Sequence, residues 1–195
     1  MSRLLPIVEG YGDLHAVPLL VRRVLRDHQI HTVQILRPHR RGDLPKVLSN
    51  FENYFRMAIK ETAAILWVLD FDCQSCDCPK VEADGLYDRA AKISPNWPFR
   101  VAFMIKEYET LFLTDATSTR LLLNIRDSTS FPGNPETVRD AKGWLSQAMP
   151  RGFAYKPTIH QSKLTFKLNL SRLREASPSF RHFEKAILSL VDQSS

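Results

Sequence analysis

Apolar residues recur along this chain at two different spacings, and each change of spacing marks an element. Leu4-Leu5-Pro6-Ile7-Val8 is a short apolar run that ends at Glu9-Gly10-Tyr11-Gly12-Asp13. Apolar positions then fall at Leu14, Val17, Leu20, Val21, Val24 and Leu25. Offsets of three and four predict a helix, with Asp13 as its expected N-cap. Val33-Gln34-Ile35-Leu36 predicts a second strand, Arg37 to Asp43 a basic loop, and Leu44 to Lys60 a second helix. Ala63 to Leu69 reads as a buried strand stopping at Asp70, Pro79 to Ile93 as a helix, and Phe99 to Ile105 as a fourth strand ending at Lys106-Glu107-Tyr108-Glu109. Strands alternating with helices imply a parallel sheet with helical crossovers. The run from Ala63 is apolar on both faces, which suits an interior strand.

After the fourth strand the pattern changes. Leu111-Phe112-Leu113 and Leu121-Leu122-Leu123 predict short helices, and Asp127 to Pro135 is a Ser/Thr/Pro/Gly/Asn loop. Glu136 to Met149 and Pro178 to Asp192 are predicted helices, with a basic polar stretch between them. The expected organisation is an α/β core over 1–126 with a basic, mainly helical C-terminal extension over 127–195 packed on it. Phe166, Phe180 and Phe183 are expected in the core of that extension rather than as base-stacking platforms.

Composition narrows the class. With 195 residues, 44% of them hydrophobic and 25% charged, the chain can bury a core without disulfides. No apolar run reaches the eighteen or so residues that a membrane-spanning helix needs. Glu9 interrupts the N-terminal apolar run before a signal-peptide region forms, so a cytoplasmic, reducing compartment is expected. The net charge of +6 is segregated. Residues 1–60 hold ten Lys/Arg against five Asp/Glu, residues 61–150 nine against thirteen, and residues 151–195 eight against three. An acidic middle between basic ends suits a polyanion held around a cation site; the alternative is a mixed solvated surface.

Three predicted strands end in acid: Glu9 after the first, Asp70 and Asp72 after the third, Glu107 and Glu109 after the fourth. In a parallel sheet these ends share one edge, where open α/β folds place their sites. Converging carboxylates are tolerated around a hard cation such as Mg²⁺; otherwise they are separate caps and solvated loop ends. Gly10 and Gly12 do not form a phosphate loop, because no Gly-Lys-Ser/Thr follows and a third fingerprint glycine is missing. Arg40 and Arg41, beside Arg37, His39 and Lys46, follow the second strand and can reach the same edge as phosphate contacts. Lys156 and Lys163, with His160 and Lys167, lie at offsets of four and three and would share a helix face, again for phosphate or simply as a solvated face. Cys73, Cys76 and Cys78 are the only cysteines. They lack a fourth ligand nearby, so a reduced loop is expected there, with zinc as the alternative.

A strand ending in Glu-Gly with Asp three residues beyond the Gly (Glu9-Gly10-Tyr11-Gly12-Asp13), followed by a later strand ending Asp-x-Asp (Asp70-Phe71-Asp72), resembles the Toprim domain of topoisomerases, primases and the nucleases of overcoming-lysogenization-defect ATPases. More closely, the chain resembles the bacterial domain-of-unknown-function family 4276 nearly end to end. The matching stretches are Ile7-Val8-Glu9-Gly10, Leu69-Asp70-Phe71-Asp72 with Cys78-Pro79, Lys106 to Leu113, and Tyr155-Lys156 through His160-Gln161 to Ser177-Pro178-Ser179-Phe180. The resemblance implies a Toprim-like (Rossmann-like) α/β fold, mainly a parallel sheet of about four strands flanked by helices. It also implies a place beside ATPases in defence loci. By it Glu9 is a general acid/base or metal ligand, Asp70 and Asp72 are Mg²⁺ (or Mn²⁺) ligands, and Glu109 is a supporting acid. The cysteine run from Cys73 directly after the Asp pair departs from that pattern.

The expected function is Mg²⁺-dependent phosphodiester cleavage of DNA or RNA, with Glu9, Asp70 and Asp72 catalytic and Arg40, Arg41, Lys156 and Lys163 on phosphates. The competing reading is a non-catalytic metal- or nucleotide-phosphate-binding partner of a separate ATPase, since no ATP-hydrolysis loop occurs in these residues. A zinc-organised interaction protein is a third.

Overall fold

A computed structural model describes residues 2–72 and 78–192. Five parallel strands form one sheet: β1 (Ser2–Val8), β2 (Val33–Ile35), β3 (His39–Arg40), β4 (Ala64–Phe71) and β5 (Phe99–Ile105). Their order is β2-β1-β4-β5, with β3 also paired to β1. Crossovers are made by α1 (Asp13–Asp27), α2 (Leu44–Ala58) and α3 (Pro79–Ile93). The mainly parallel sheet flanked by helices is the fold class expected from the alternating pattern.

β3 falls inside the stretch that the sequence reads as a loop. Its two residues carry no strand pattern and are held by pairing with β1, Ile7 beside His39 and Val8 beside Arg40. Pro6 explains the break between β2 and β3. Leu36 and Arg41 donate backbone N–H groups to the carbonyls of Leu4 and Val8, so residues of that parity on β1 point toward β2 and β3. Proline has no N–H to offer there, and the edge strand divides opposite it.

Alternation along the strands builds two cores. Leu5, Ile7, Ile65, Trp67, Leu69, Phe99 and Phe103 face α2 and α3, where Phe51, Phe55, Trp67 and Phe99 pack with ring centroids 4.9–5.9 Å apart. Leu4, Val8, Leu66, Val68, Ala102 and Met104 face the other side. There they meet α1 and the chain beyond β5: α4 (Thr110–Thr114), α5 (Ala116–Leu123), α6 (Ala141–Ala148), α7 (Pro157–Lys167), α8 (Leu170–Ala176) and α9 (Pro178–Asp192). Side chains after residue 126, among them Leu145, Leu164, Leu173, Phe180, Phe183 and Ile187, sit in the same core as β1 and β4.

One helix reading changes. The helix predicted from Glu136 is a single 3-10 turn at Pro135–Thr137, a break, and then α6, whose start Asp140 caps by accepting from the Gly143 N–H at 2.7 Å. Glu136 instead caps α9 through its Oε1, which accepts from Ser177 Oγ and the Ser179 N–H. α8 is capped by Asn169, whose Oδ1 accepts from the Arg172 N–H at 3.1 Å. Asn169→Ala is expected to cost about 1 kcal/mol. In a domain of this size thermal denaturation should register that as roughly 2–4 °C.

Candidate functional site

Parallel pairing brings the ends of β1, β4 and β5 to one edge of the sheet. Glu9 follows β1. Asp70 continues the Leu66 and Val68 side of β4, and Glu109 follows β5 in the turn that opens α4. All three line one cavity of about 270 Å³, together with Tyr11, Asp13, Lys142, Pro157, Thr158 and Gln161. An adjoining cavity of about 300 Å³ is lined by Glu9, Asp43, Asp70, Asp72, Lys106, Glu107 and Lys142. Glu9, Asp70 and Lys142 are common to both.

Lys142 has no counterpart in the sequence reading. It stands in the first turn of α6, which Glu107 holds by accepting from the Lys142 backbone N–H and from its ammonium, each at 3.0 Å. The same ammonium lies 3.3 Å from Glu109 Oε2 and 3.5 Å from Asp70 Oδ2. No local pattern marks this lysine, because α6 reaches the acids only through the packing of the C-terminal helices.

Glu109 is 1% exposed. Its Oε1 accepts from Tyr155 OH at 3.0 Å, while Oε2 is buried without a hydrogen bond and has the Lys142 charge beside it. Burial, then nearby acids, push Glu109 up to about 7 against the pull of Lys142. Burial first and Asp13 second push Glu9 up to about 7. Asp70 is raised well above the usual carboxylate range, chiefly by burial and also by Asp13, Glu109 and Glu9; its Oδ1 accepts from the Tyr108 N–H at 2.8 Å. Burial favours the neutral amine, yet Lys142 is raised above its ordinary value because Glu109, Asp70 and Glu107 surround it. One ammonium therefore faces more carboxylate charge than it can neutralise.

Asp72 stands apart from Glu109. It lines the adjoining cavity and accepts from the Lys106 ammonium at 2.9 Å. Lys106 itself has φ +66, an uncommon backbone state that turns the chain sharply after β5. Asp13 does not cap α1, because Gly12 occupies the N-cap position and no side-chain cap bond forms. Its Oδ2 instead accepts from the Gly10 N–H at 2.7 Å, and its Oδ1 from Gln161 Nε2 at 2.5 Å. That tie brings α7 against the β1–α1 turn. A Cβ at Gly12 would overlap Gln161 Oε1 and come within 2.8 Å of Pro157 Cβ, so glycine there permits the close approach. α7 is held further by Arg23, which donates to the Thr165 and Leu168 carbonyls at 2.5 Å each, and by the 3.0 Å bond between Tyr108 OH and Thr165 Oγ1.

Of the predicted phosphate ligands, exposed Arg40 lies over the Tyr11 ring, 4.1 Å from its centroid, at the cavity mouth. Arg41 is half-buried and packs toward Tyr54 and His39. Lys156 immediately precedes α7, and Lys163 is exposed on it. Cys73 and Cys76 lie outside the described residues, and Cys78 is an exposed free thiol just before α3.

The donors suit a hard divalent cation in kind, being carboxylate oxygens with an orphaned buried atom at Glu109. Among the described residues no three His, Cys, Asp or Glu side chains form a ready-made metal cage. Mg²⁺ commonly takes only one or two carboxylates, with water and substrate phosphate completing its shell. Glu9 and Asp70, shared by the two cavities, fit that requirement.

Fold and cavity together define an α/β protein with a carboxylate-rich site at the carboxyl ends of its parallel strands. Residues 8–188 match the sequence model of Domain of unknown function (DUF4276), and the chain belongs to that family. No curated protein matches it. Among solved structures it is similar to the C-terminal region of the Burkholderia pseudomallei OLD protein (14% identity, all of both chains covered, TM-score 0.48). It is also similar to the C-terminal region of the Xanthomonas campestris pv. campestris OLD protein (13% identity, 100% of this chain and 99% of that one, TM-score 0.41). No helix among the described residues is long and apolar enough to cross a membrane.

Proposed function

We propose that this protein is a Mg²⁺-dependent nuclease that cleaves phosphodiesters, most simply of DNA, at the Glu9–Asp70–Glu109 cavity. The observation that carries this reading is the meeting of acids from three strand ends in one cavity, their charge only partly offset by Lys142. Glu9 and Asp70 would hold the metal. Bound there, it would polarise the phosphate and acidify an attacking water. Lys142 is placed to neutralise charge gathering on the phosphoryl oxygens. A carboxyl near 7 can take or give a proton at neutral pH, a role open to Glu109, which Tyr155 holds in place. Arg40, at the mouth, would meet the incoming backbone.

The test is incubation of the purified protein with plasmid and with transfer RNA in Mg²⁺ or Mn²⁺. Glu9→Gln and Asp70→Asn should each reduce metal-dependent cleavage by about 100-fold or more. Metal-dependent cleavage that survives both substitutions unchanged would overturn the assignment. One observation favours a second reading, a non-catalytic subunit of an ATPase: Lys142 already occupies the space among the acids. Wild-type protein inert both alone and with such an ATPase would favour it.

A further inference from the structure

We propose that the outer face of α7 and the Tyr11 turn form a track that leads an unpaired DNA strand into the acidic cavity. The proposal rests on the nuclease reading and specifies the form of its substrate. Phe166, expected in the core, is 59% exposed, whereas Phe180 and Phe183 are buried. The inner face of α7 buries Gln161, Leu164 and Thr165. On the outer face stand Ile159, 47% exposed, and Phe166, seven residues apart and so on the same side of the helix. Exposed Lys163 lies between them at offsets of four and three, and the Lys167 ammonium is 5.5 Å from the Phe166 ring centroid.

A second aromatic–cation pair marks the cavity mouth, where Tyr11, 63% exposed, lies under Arg40. Pro157 lines that cavity, and Phe166 lies nine residues further along α7, roughly 13 Å by helical rise. The ties from Arg23, Tyr108 and Asp13 fix the helix, so the stripe is already formed before anything binds. Phe166 has no hydrogen-bonding group and can engage a polynucleotide only by stacking its ring on a base. Bases inside a duplex already have both faces stacked, so the ring suits an unpaired strand. Lysines add phosphate contacts that carry no sequence information, and residues 151–195 hold eight Lys/Arg against three Asp/Glu. DNA is taken as the strand because the nuclease reading on which the proposal rests names DNA as its substrate.

The experiment is fluorescence anisotropy in EDTA, using a labelled oligonucleotide of about twenty residues as single-stranded DNA, as duplex and as RNA of the same sequence. Single-stranded DNA should bind about ten-fold more tightly than duplex, and Phe166→Ala should weaken single-strand binding by about ten-fold while leaving duplex binding nearly unchanged. Lys163→Ala should weaken both forms and flatten the salt dependence. Met57→Ala, exposed on α2 across the sheet, should change nothing. Equal binding of single strand and duplex, indifference to Phe166→Ala, or preference for RNA would overturn the proposal. So would a dimer that Phe166→Ala dissolves in size-exclusion chromatography, which would make the stripe a contact between copies of this chain. Because binding is read without metal, Phe166-dependent strand binding by a protein that cleaves nothing, alone or with such an ATPase, would refute the nuclease reading alone. Cleavage with no such dependence would refute the track alone.

Discussion

Lys142→Met should lower the unfolding free energy by about 3 kcal/mol at pH 8, the size expected when one partner is removed from a buried ionic cluster. The substitution preserves most of the side-chain volume and deletes an ammonium that lies within 3.5 Å of Asp70, Glu107 and Glu109. Those carboxylates are mostly buried and cannot recover the lost interaction from water. Lys142 itself is 38% exposed, which places the expected cost at the lower end of the range for buried pairs. The lysine, raised above its ordinary value, stays charged in folded and unfolded chains below about pH 10, so any pH dependence of the defect comes from the acids. Protonating Asp70 and Glu109, both raised, as pH falls to 5 removes the repulsion between them, and the defect should then shrink to about 1 kcal/mol. Urea denaturation at the two pH values measures both. A loss of the same size at pH 5 and pH 8 would mean that Lys142 acts through packing rather than charge.

Metal-free wild-type protein should lose roughly 3 kcal/mol of stability between pH 5 and pH 8. Glu9 and Glu109 are both raised to about 7, with burial the leading cause. A carboxyl with a raised folded pKa binds its proton more tightly in the folded chain. Its contribution is therefore present below the unfolded value, near 4.5, and lost as pH climbs through 7. Asp70 shifts in the same direction. Glu52 and Glu184, lowered by Arg89 and Arg174 respectively, act oppositely and at lower pH, so stability should be greatest near pH 5. Glu9→Gln should flatten the upper limb and leave the protein about 1 kcal/mol more stable at pH 8, at the expense of cleavage. Mg²⁺ should stabilise the wild type more at pH 8 than at pH 5, because the cation needs the ionised acids. Stability that rises steadily from pH 5 to pH 8 would contradict the geometry of the site.

The strands and the acids at their ends were legible because both are local. Ala63 to Leu69 is apolar on both faces whatever surrounds it, and Glu9, Asp70 and Glu109 are fixed at strand ends by position alone. Parallel order then places them on one edge, and the structure brings them to one cavity. Asp72 shares the edge and the parity of Asp70, yet Lys106 draws it into the adjoining cavity. Asp13 departs from the expected cap for a related reason: a cap is the local use of an aspartate, and only the approach of α7 supplies Gln161 as its partner.

Chain order and residue type alone determined an α/β sheet with acids at its carboxyl edge, because hydrophobic period and strand direction are properties of short segments. Tertiary structure alone decided that Lys142 partly offsets those acids, that His39 and Arg40 pair as a strand, and that Phe166 faces water. Each of these depends on contacts between segments distant in the chain, where no local spacing shows which face is left uncovered or which charge arrives.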